Sequence, residues 1–254
     1  MSATNNSRSD EHSIAVYLDD DFDPRNEIIE SGPSPHTKHE IQELIETCYS
    51  TSISLLHEQL TDSDMPIIVD SAIIRKKCTE LKLGYNQITS EGVKTLADAL
   101  KKNSTLEHLN LFHNNIADQG VYYLTQALLS NEKSKVKMLF IGYNQITDKS
   151  IEYLCNLLKS NRNIVHLGLS NNEISDRGII VLANVLTNDN ITLKELYLWG
   201  NKSIGDMCVD ALADMLVYNR SLMKLVLFDC NLSDLSKERL REVVQSRKDF
   251  GLFL

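Results

Sequence analysis

No apolar run in the 254 residues approaches the roughly 20 needed to span a bilayer, so no membrane-spanning helix is expected. The N-terminal MSATNNSRSDEHS is polar and lacks the apolar core of a secretory signal. The expected location is the cytoplasm, with the nucleus as the alternative. Cysteine occurs five times, at Cys48, Cys78, Cys155, Cys208 and Cys230, and never as a CxxC pair. Zinc-ligand spacing and a disulfide framework are both missing, and reduced thiols filling structural positions are the expectation. Positive charge is in deficit: 26 Lys and Arg against 35 Asp and Glu give a net charge of −9. That is the wrong sign for a nucleic-acid surface. There is no HExxH pair, no P-loop and no nucleophile motif. No enzyme, cofactor or metal is therefore expected, and no nucleic-acid or membrane partner.

Residues 1–37 differ from the rest, with eight acids, low hydrophobicity and a closing SGPSPH. This composition predicts an acidic disordered tail. Within it, Ile14 to Leu18 has the makings of a short strand, and Ser34-Pro35 of a proline-directed phosphorylation site. Asp19, Asp21, Asp23, Glu27 and Glu30 follow the ligand spacing of a calcium-binding loop. The sixth place of that loop needs glycine for its sharp turn and holds Pro24, so calcium binding is not expected. From residue 38 to 49 the period becomes helical, with Ile41, Leu44, Ile45 and Cys48 on one face. This segment reads as a helix that caps the N-terminal end of a repeat array.

The array begins at residue 50. Its clearest copy is LEHLNLFHNNI from Leu106, apolar at its first, fourth, sixth and eleventh places, with asparagine at the ninth. Close copies begin at Cys78, Val136, Ile164, Leu193 and Leu222, 28 to 30 residues apart. A degenerate copy begins at Ser50, with Glu58 in the asparagine place. The first half of each copy alternates like a strand. The second half opens on capping residues such as Thr89-Ser90, Thr147-Asp148 and Ser175-Asp176. It continues with a helical stripe, Val93, Leu96, Ala97 and Leu100 in one copy and Ile179, Leu182, Ala183 and Leu186 in another. Gly92, Gly120 and Gly178 share one helix-start place with Ser150, Cys208 and Ser236, where small residues imply close backbone approach. Strand then helix in one sense gives a parallel sheet. Because helices are wider than the ~4.8 Å strand spacing, the stack must curve with strands on its concave side. Asn86, Asn114, Asn144, Asn172 and Asn201, continued by Cys230, are expected to bridge main-chain groups of successive turns.

The motif LxxLxLxxNxI with its helix resembles the ribonuclease-inhibitor-type leucine-rich repeat, the type found in ribonuclease inhibitor, in the Ran GTPase-activating protein and in NOD-like receptors. The resemblance covers about residues 50–254. It implies an α/β horseshoe of about seven repeats, used for contact between proteins. The final DFGLFL reads as an incomplete last strand. The resemblance also keeps two other functions in view, a GTPase-activating regulator and a structural spacer within a larger assembly.

The places the pattern leaves free define the candidate site. Places three, five, seven and eight point outward, and they bring Tyr85, Phe112, His113, Phe140, Tyr143, Tyr197, Trp199 and Phe228 onto the concave face. Exposed aromatics are characteristic of binding hot spots, so these eight are the expected partner-binding residues of a monomer that holds another protein. Part of the set is open to another account, in which rings lie flat on the sheet and cover their neighbours. His108 and His166 fall two strands apart, as do His57 and His113, and none meets a cysteine in tetrahedral spacing. Glu80 lies beside His108 and Glu195 beside His166, so each carboxylate is expected to raise its neighbour's pKa.

Overall fold

The computed structural model describes residues 37–254. The acidic tail, the Asp19–Glu30 series, the Ile14–Leu18 segment and Ser34-Pro35 lie outside the described residues. Helix α1 (Lys38–Thr47) begins on a capping box. Thr37 Oγ1 accepts from the Glu40 N–H at 3.3 Å, and the Glu40 carboxylate accepts from the Thr37 N–H at 2.6 Å. Ile41 and Ile45 are buried and close the first core layer, as the period requires, while Leu44 stays 46% exposed.

Eight three-residue strands succeed it: β1 (Ser52–Ser54), β2 (Glu80–Lys82), β3 (His108–Asn110), β4 (Met138–Phe140), β5 (His166–Gly168), β6 (Glu195–Tyr197), β7 (Lys224–Val226) and β8 (Gly251–Phe253). They pair in chain order, every pair parallel. Between them run α2 (Met65–Ile68, continued by a π-helical turn to Arg75), α3 (Ser90–Leu100), α4 (Ala117–Ser130), α5 (Asp148–Ser160), α6 (Asp176–Asn188), α7 (Val209–Tyr218, preceded by a 3₁₀ turn) and α8 (Asp234–Val244). Seven strand-and-helix units plus β8 make an α/β solenoid with strands on the concave face and helices on the convex face. Each helix packs on the next, α3 on α4 through α7 on α8.

The core is one continuous cluster between the two layers. The fourth and sixth places, Leu81 and Leu83 through Leu225 and Leu227, are buried with the helical stripes that face them. Leu252 and Leu254 pack against the end of this cluster, so β8 covers the last layer. Such a cover is needed because each unit buries its apolar face only against its neighbours.

Three sets of polar groups bind unit to unit. The ninth-place asparagines act as expected. Asn144 donates through Nδ2 to the carbonyls of Leu111 and Gly142 at 2.9 and 2.8 Å, and its Oδ1 accepts from the Ile116 N–H at 3.2 Å. Asn86, Asn114, Asn172 and Asn201 make equivalent bridges. At the last rung Cys230 Sγ donates to the Leu198 carbonyl at 3.5 Å. A thiol suffices there because the longer turn of the preceding unit closes on itself, with the Ile204 N–H donating to the Asn201 carbonyl at 3.1 Å.

The second set begins five of the helices, α3 and α5 through α8. Asp62, Asp118, Asp148, Asp176 and Asp206 each accept from the main-chain N–H at the start of the next unit's helical segment, at Thr89, Thr147, Ser175, Gly205 and Ser233. Caps within the helix are present at α3, α5 and α6, with Thr89, Thr147 and Ser175 hydroxyls accepting at 3.2–3.3 Å, while α4 and α7 begin without a side-chain cap. The third set ends the helices: Asn131, Asn190 and Asn219 donate to the carbonyls of Leu100, Leu158 and Leu186. Arg247 Nη1 closes the series on the Leu216 carbonyl at 3.0 Å.

Candidate partner-binding face

The sheet register turns the outward places into true lateral rows. Glu80, His108, Met138, His166, Glu195 and Lys224 are successive partners, as are Lys82, Asn110, Phe140, Gly168, Tyr197 and Val226. Beyond the strand ends, the eighth place is held in the left-handed region at every non-glycine position, from His57 (φ 60°) and Tyr85 (φ 57°) to Asp229 (φ 58°). This twist turns the eighth-place side chains over the loop edge of the sheet. There His57, Tyr85, His113 and Tyr143 form one stack, with centroids 4.1, 5.0 and 5.4 Å apart and ring planes within 29° of each other. Beside it, Phe112 meets Tyr143 edge-on at 5.1 Å, Tyr143 meets Trp199 edge-on at 5.9 Å, and Trp199 stacks on Phe228 at 5.3 Å. Phe140 and Tyr197 form a separate pair at 6.0 Å. The eight aromatic and imidazole side chains singled out in the sequence are therefore brought together into two groups.

Their depth differs from the outward reading. Tyr197 and Trp199 are only 5% and 7% exposed, so they are floor and not surface. Tyr85, Phe112, Phe140, Tyr143 and Phe228 are half-buried, and His113 is exposed. The cause is a large-small alternation along the rows. A Cβ on Gly168 would stand 2.5 Å from Phe140 Cδ1, and one on Gly142 would stand 2.9 Å from Phe112 Cδ2. Phe140 and Phe112 each lie across the glycine of the next unit, which is the flat-lying arrangement, while Trp199 is covered by Phe228 stacked on it.

A polar cluster surrounds the buried tyrosine. The Tyr197 hydroxyl donates to Glu195 Oε2. Lys224 Nζ reaches the same oxygen at 3.2 Å and sits 5.4 Å from the Tyr197 ring centroid. His166 Nδ1 lies 3.7 Å from Glu195 Oε2. Burial pushes the Glu195 carboxyl up, but the Tyr197 hydrogen bond, His166 and Lys224 outweigh it and hold the group below the usual range. The expectation for His166 is reversed. Burial lowers its pKa, and Glu195, which raises it, is offset by Lys224 and His108. The register puts the carboxylate where the sequence places it, and desolvation of the ring decides the sign. Glu80 does lie 3.7 Å from His108 Nδ1, as the row implies.

Cys78 and Cys155 are buried, and burial pushes their thiols up to about 12. Among the described residues no cluster of three or more His, Cys, Asp or Glu is placed to hold a metal. No described helix is long and apolar enough to cross a membrane.

A family profile described as "Leucine Rich repeat" matches residues 79–97, 102–124 and 160–183. Ribonuclease inhibitor of Mus musculus is 32% identical over 91 residues, 36% of this chain and 20% of that protein. NACHT, LRR and PYD domains-containing protein 9B of Mus musculus is 31% identical over 116 residues, 46% of this chain and 12% of that protein. The chain thus spans a fifth or less of the length of these relatives. The tropomodulin C-terminal domain of Caenorhabditis elegans superposes with a TM-score of 0.47 at 15% identity, over 61% of this chain and 93% of that one. With the asparagine ladder, the strand-and-helix units and the profile match, the chain carries leucine-rich repeats, and their pattern is similar to that of ribonuclease inhibitor.

Proposed function

We propose that the chain is a non-enzymatic binding module that holds a protein partner on the concave face of its solenoid, in a reducing compartment such as the cytosol. Leucine-rich repeat domains generally mediate contact between proteins. The observation that carries the finer reading is the ring stack of His57, Tyr85, His113 and Tyr143 running on from the aromatic floor. A sheet face needs no such aromatic content for stability where its outward places hold Ser52 and Ser54 equally well. Tyr85, Phe112, His113, Phe140, Tyr143 and Phe228 are the contact residues, and Tyr197 and Trp199 support them from beneath. The five unpaired thiols support the compartment.

The test exploits a pair of residues the chain already uses. Ser170-Asn171, two units further along, hold the places that Phe112-His113 occupy in their own unit. The variant Phe112→Ser/His113→Asn keeps the left-handed turn, which Asn171 adopts at φ 49°, and removes the rings. Tagged wild type, this variant and the convex-face variant Tyr122→Ala are used as baits and the captured proteins quantified. A protein retained by wild type and Tyr122→Ala and lost from the double variant supports the reading. Equal recovery by all three removes it.

A further inference from the structure

The loops that lead from each helix to the next strand share one edge of the solenoid, and two lateral rows run along it. Backbone bonds set the first. The N–H groups of Val165, Lys194 and Met223 donate in turn to the carbonyls of Lys137, Val165 and Lys194, at 2.7–2.8 Å. A repeated turn sets the second. Asn161, Asn190 and Asn219 each accept through Oδ1 from the N–H groups two and three residues on, at 2.7–3.1 Å. The residue each turn skips, Arg162, Ile191 or Arg220, therefore stands at its tip, and all three are exposed.

Charge is unevenly divided between this edge and the other. Across residues 159–165, 188–194 and 218–224, Asp189 is the only acid, against Lys159, Arg162, Lys194, Arg220 and Lys224. Lys159, Arg162 and Arg220 form no ion pair among the described residues. The carboxylates of Asp62, Asp118, Asp148, Asp176 and Asp206 lie at the opposite edge, where the helices begin. Eight further acids lie in residues 1–37. The net charge of −9, which speaks against an anionic partner for the chain as a whole, thus conceals a cationic edge.

Apolar side chains project between these cations. Ile191, Tyr218 and Met223 are 74%, 65% and 53% exposed. The helix macrodipole favours cations at helix ends and accounts for Lys159 in the last turn of α5. It gives no reason for the apolar residues, whose exposure costs free energy unless something covers them. A rigid acidic protein would need a recess for each of the three. A bilayer yields to them, since apolar side chains enter the boundary between headgroups and acyl chains while neighbouring cations meet the anionic headgroups.

We propose that this edge docks on the surface of an anionic lipid bilayer, with Arg162 and Arg220 against the headgroups and Ile191, Tyr218 and Met223 seated at their inner boundary. The contact is peripheral and leaves the concave face clear, so it goes beyond the protein-binding reading and does not depend on it. Cytoplasmic leaflets carry the anionic lipid that such an edge requires.

The experiment is co-sedimentation of the full chain with vesicles of phosphatidylcholine alone, or of phosphatidylcholine with one third phosphatidylserine. Sedimentation with the anionic vesicles only, weakened by added salt, is expected. Arg162→Gln/Arg220→Gln should lower the partition roughly 25-fold, at about five-fold per cation. Ile191→Ser/Met223→Ser should lower it roughly ten-fold. The four positions are exposed, so both variants should keep the wild-type unfolding midpoint. Lys149→Gln/Arg177→Gln removes the same charge from exposed places at the opposite edge and should bind nearly as wild type does. No sedimentation with anionic vesicles, an equal loss in the Lys149/Arg177 variant, or an unaltered Ile191/Met223 variant would overturn the proposal. So would binding of a soluble oligoglutamate peptide in place of the vesicles, which would assign the cations to an acidic protein. The capture experiment changes Phe112 and His113 and leaves this edge intact, so the two readings fail separately.

Discussion

Asn144 holds two units together with one side chain. It meets the Leu111 and Gly142 carbonyls and the Ile116 N–H, all in the interior. Asn144→Ala leaves the Ile116 N–H without its acceptor, while the Leu111 and Gly142 carbonyls keep the Asn114 side chain and the His113 N–H, and should destabilise the solenoid by roughly 1–3 kcal/mol, read as a fall in the urea midpoint. An unmoved midpoint would mean the ladder contributes nothing. His166 gives a second residue-scale test. Its folded pKa is lowered, so the native state binds fewer protons than the unfolded chain and stability falls as pH drops from above 6.5 through the folded value. The groups facing it are Glu195, Lys224 and His108. An NMR titration of the His166 ring should give a midpoint below 6.5, and His166→Gln should flatten the stability profile in that window. A midpoint above the model-peptide value would show that Glu195 outweighs burial. Glu195 loses its contribution lower, as pH falls below about 4.5 through its depressed pKa. The thiols offer a third test. Cys78 and Cys155, both pushed up to about 12 by burial, should resist alkylation until the chain unfolds.

At the scale of the element, the helix starts separate two kinds of glycine. At Gly178 an added Cβ would collide with the Asp148 carboxylate that receives the Ser175 N–H. Gly178→Ala should therefore cost roughly 1–3 kcal/mol, although alanine favours helix on propensity alone. At Gly205 the nearest atom is Asp176 Oδ2 at 3.4 Å, an ordinary contact, and φ is −129°. Gly205→Ala should stay within about 0.5 kcal/mol of wild type, and thermal unfolding of the two variants checks the contrast. Strands, helices and the asparagine bridges were legible in the sequence because six copies repeat the same physical demand. The aspartate bridges were not, since a capping role within the helix already accounted for Asp148 and Asp176. The short helical segment after Leu60 was also missed: Met65, Ile68, Val69 and Ala72 do repeat the later stripe and are buried, but the unit lacks the asparagine signature, carries Pro66 in its first turn and ends in a π turn.

Across the whole molecule, the rows of the concave face were legible while the depth of each ring was not. Alternation along a strand fixes the side of the sheet, and the register then fixes the lateral neighbour. Whether a ring stands up or lies down depends on the next unit, as Gly142 and Gly168 show for Phe112 and Phe140. Tyr197 and Trp199 are the two buried rings of the eight, so truncating them should lower stability together with any binding. Truncation at exposed His113 should alter binding far more than stability. A photo-crosslinking phenylalanine analogue placed at His113, and in a separate chain at Tyr122 on helix α4 of the convex face, tells the two faces of the solenoid apart. Protein adducts formed from position 113 and absent from position 122 are the expected result, whereas adducts from 122 alone, or from neither, would contradict a partner on the concave face.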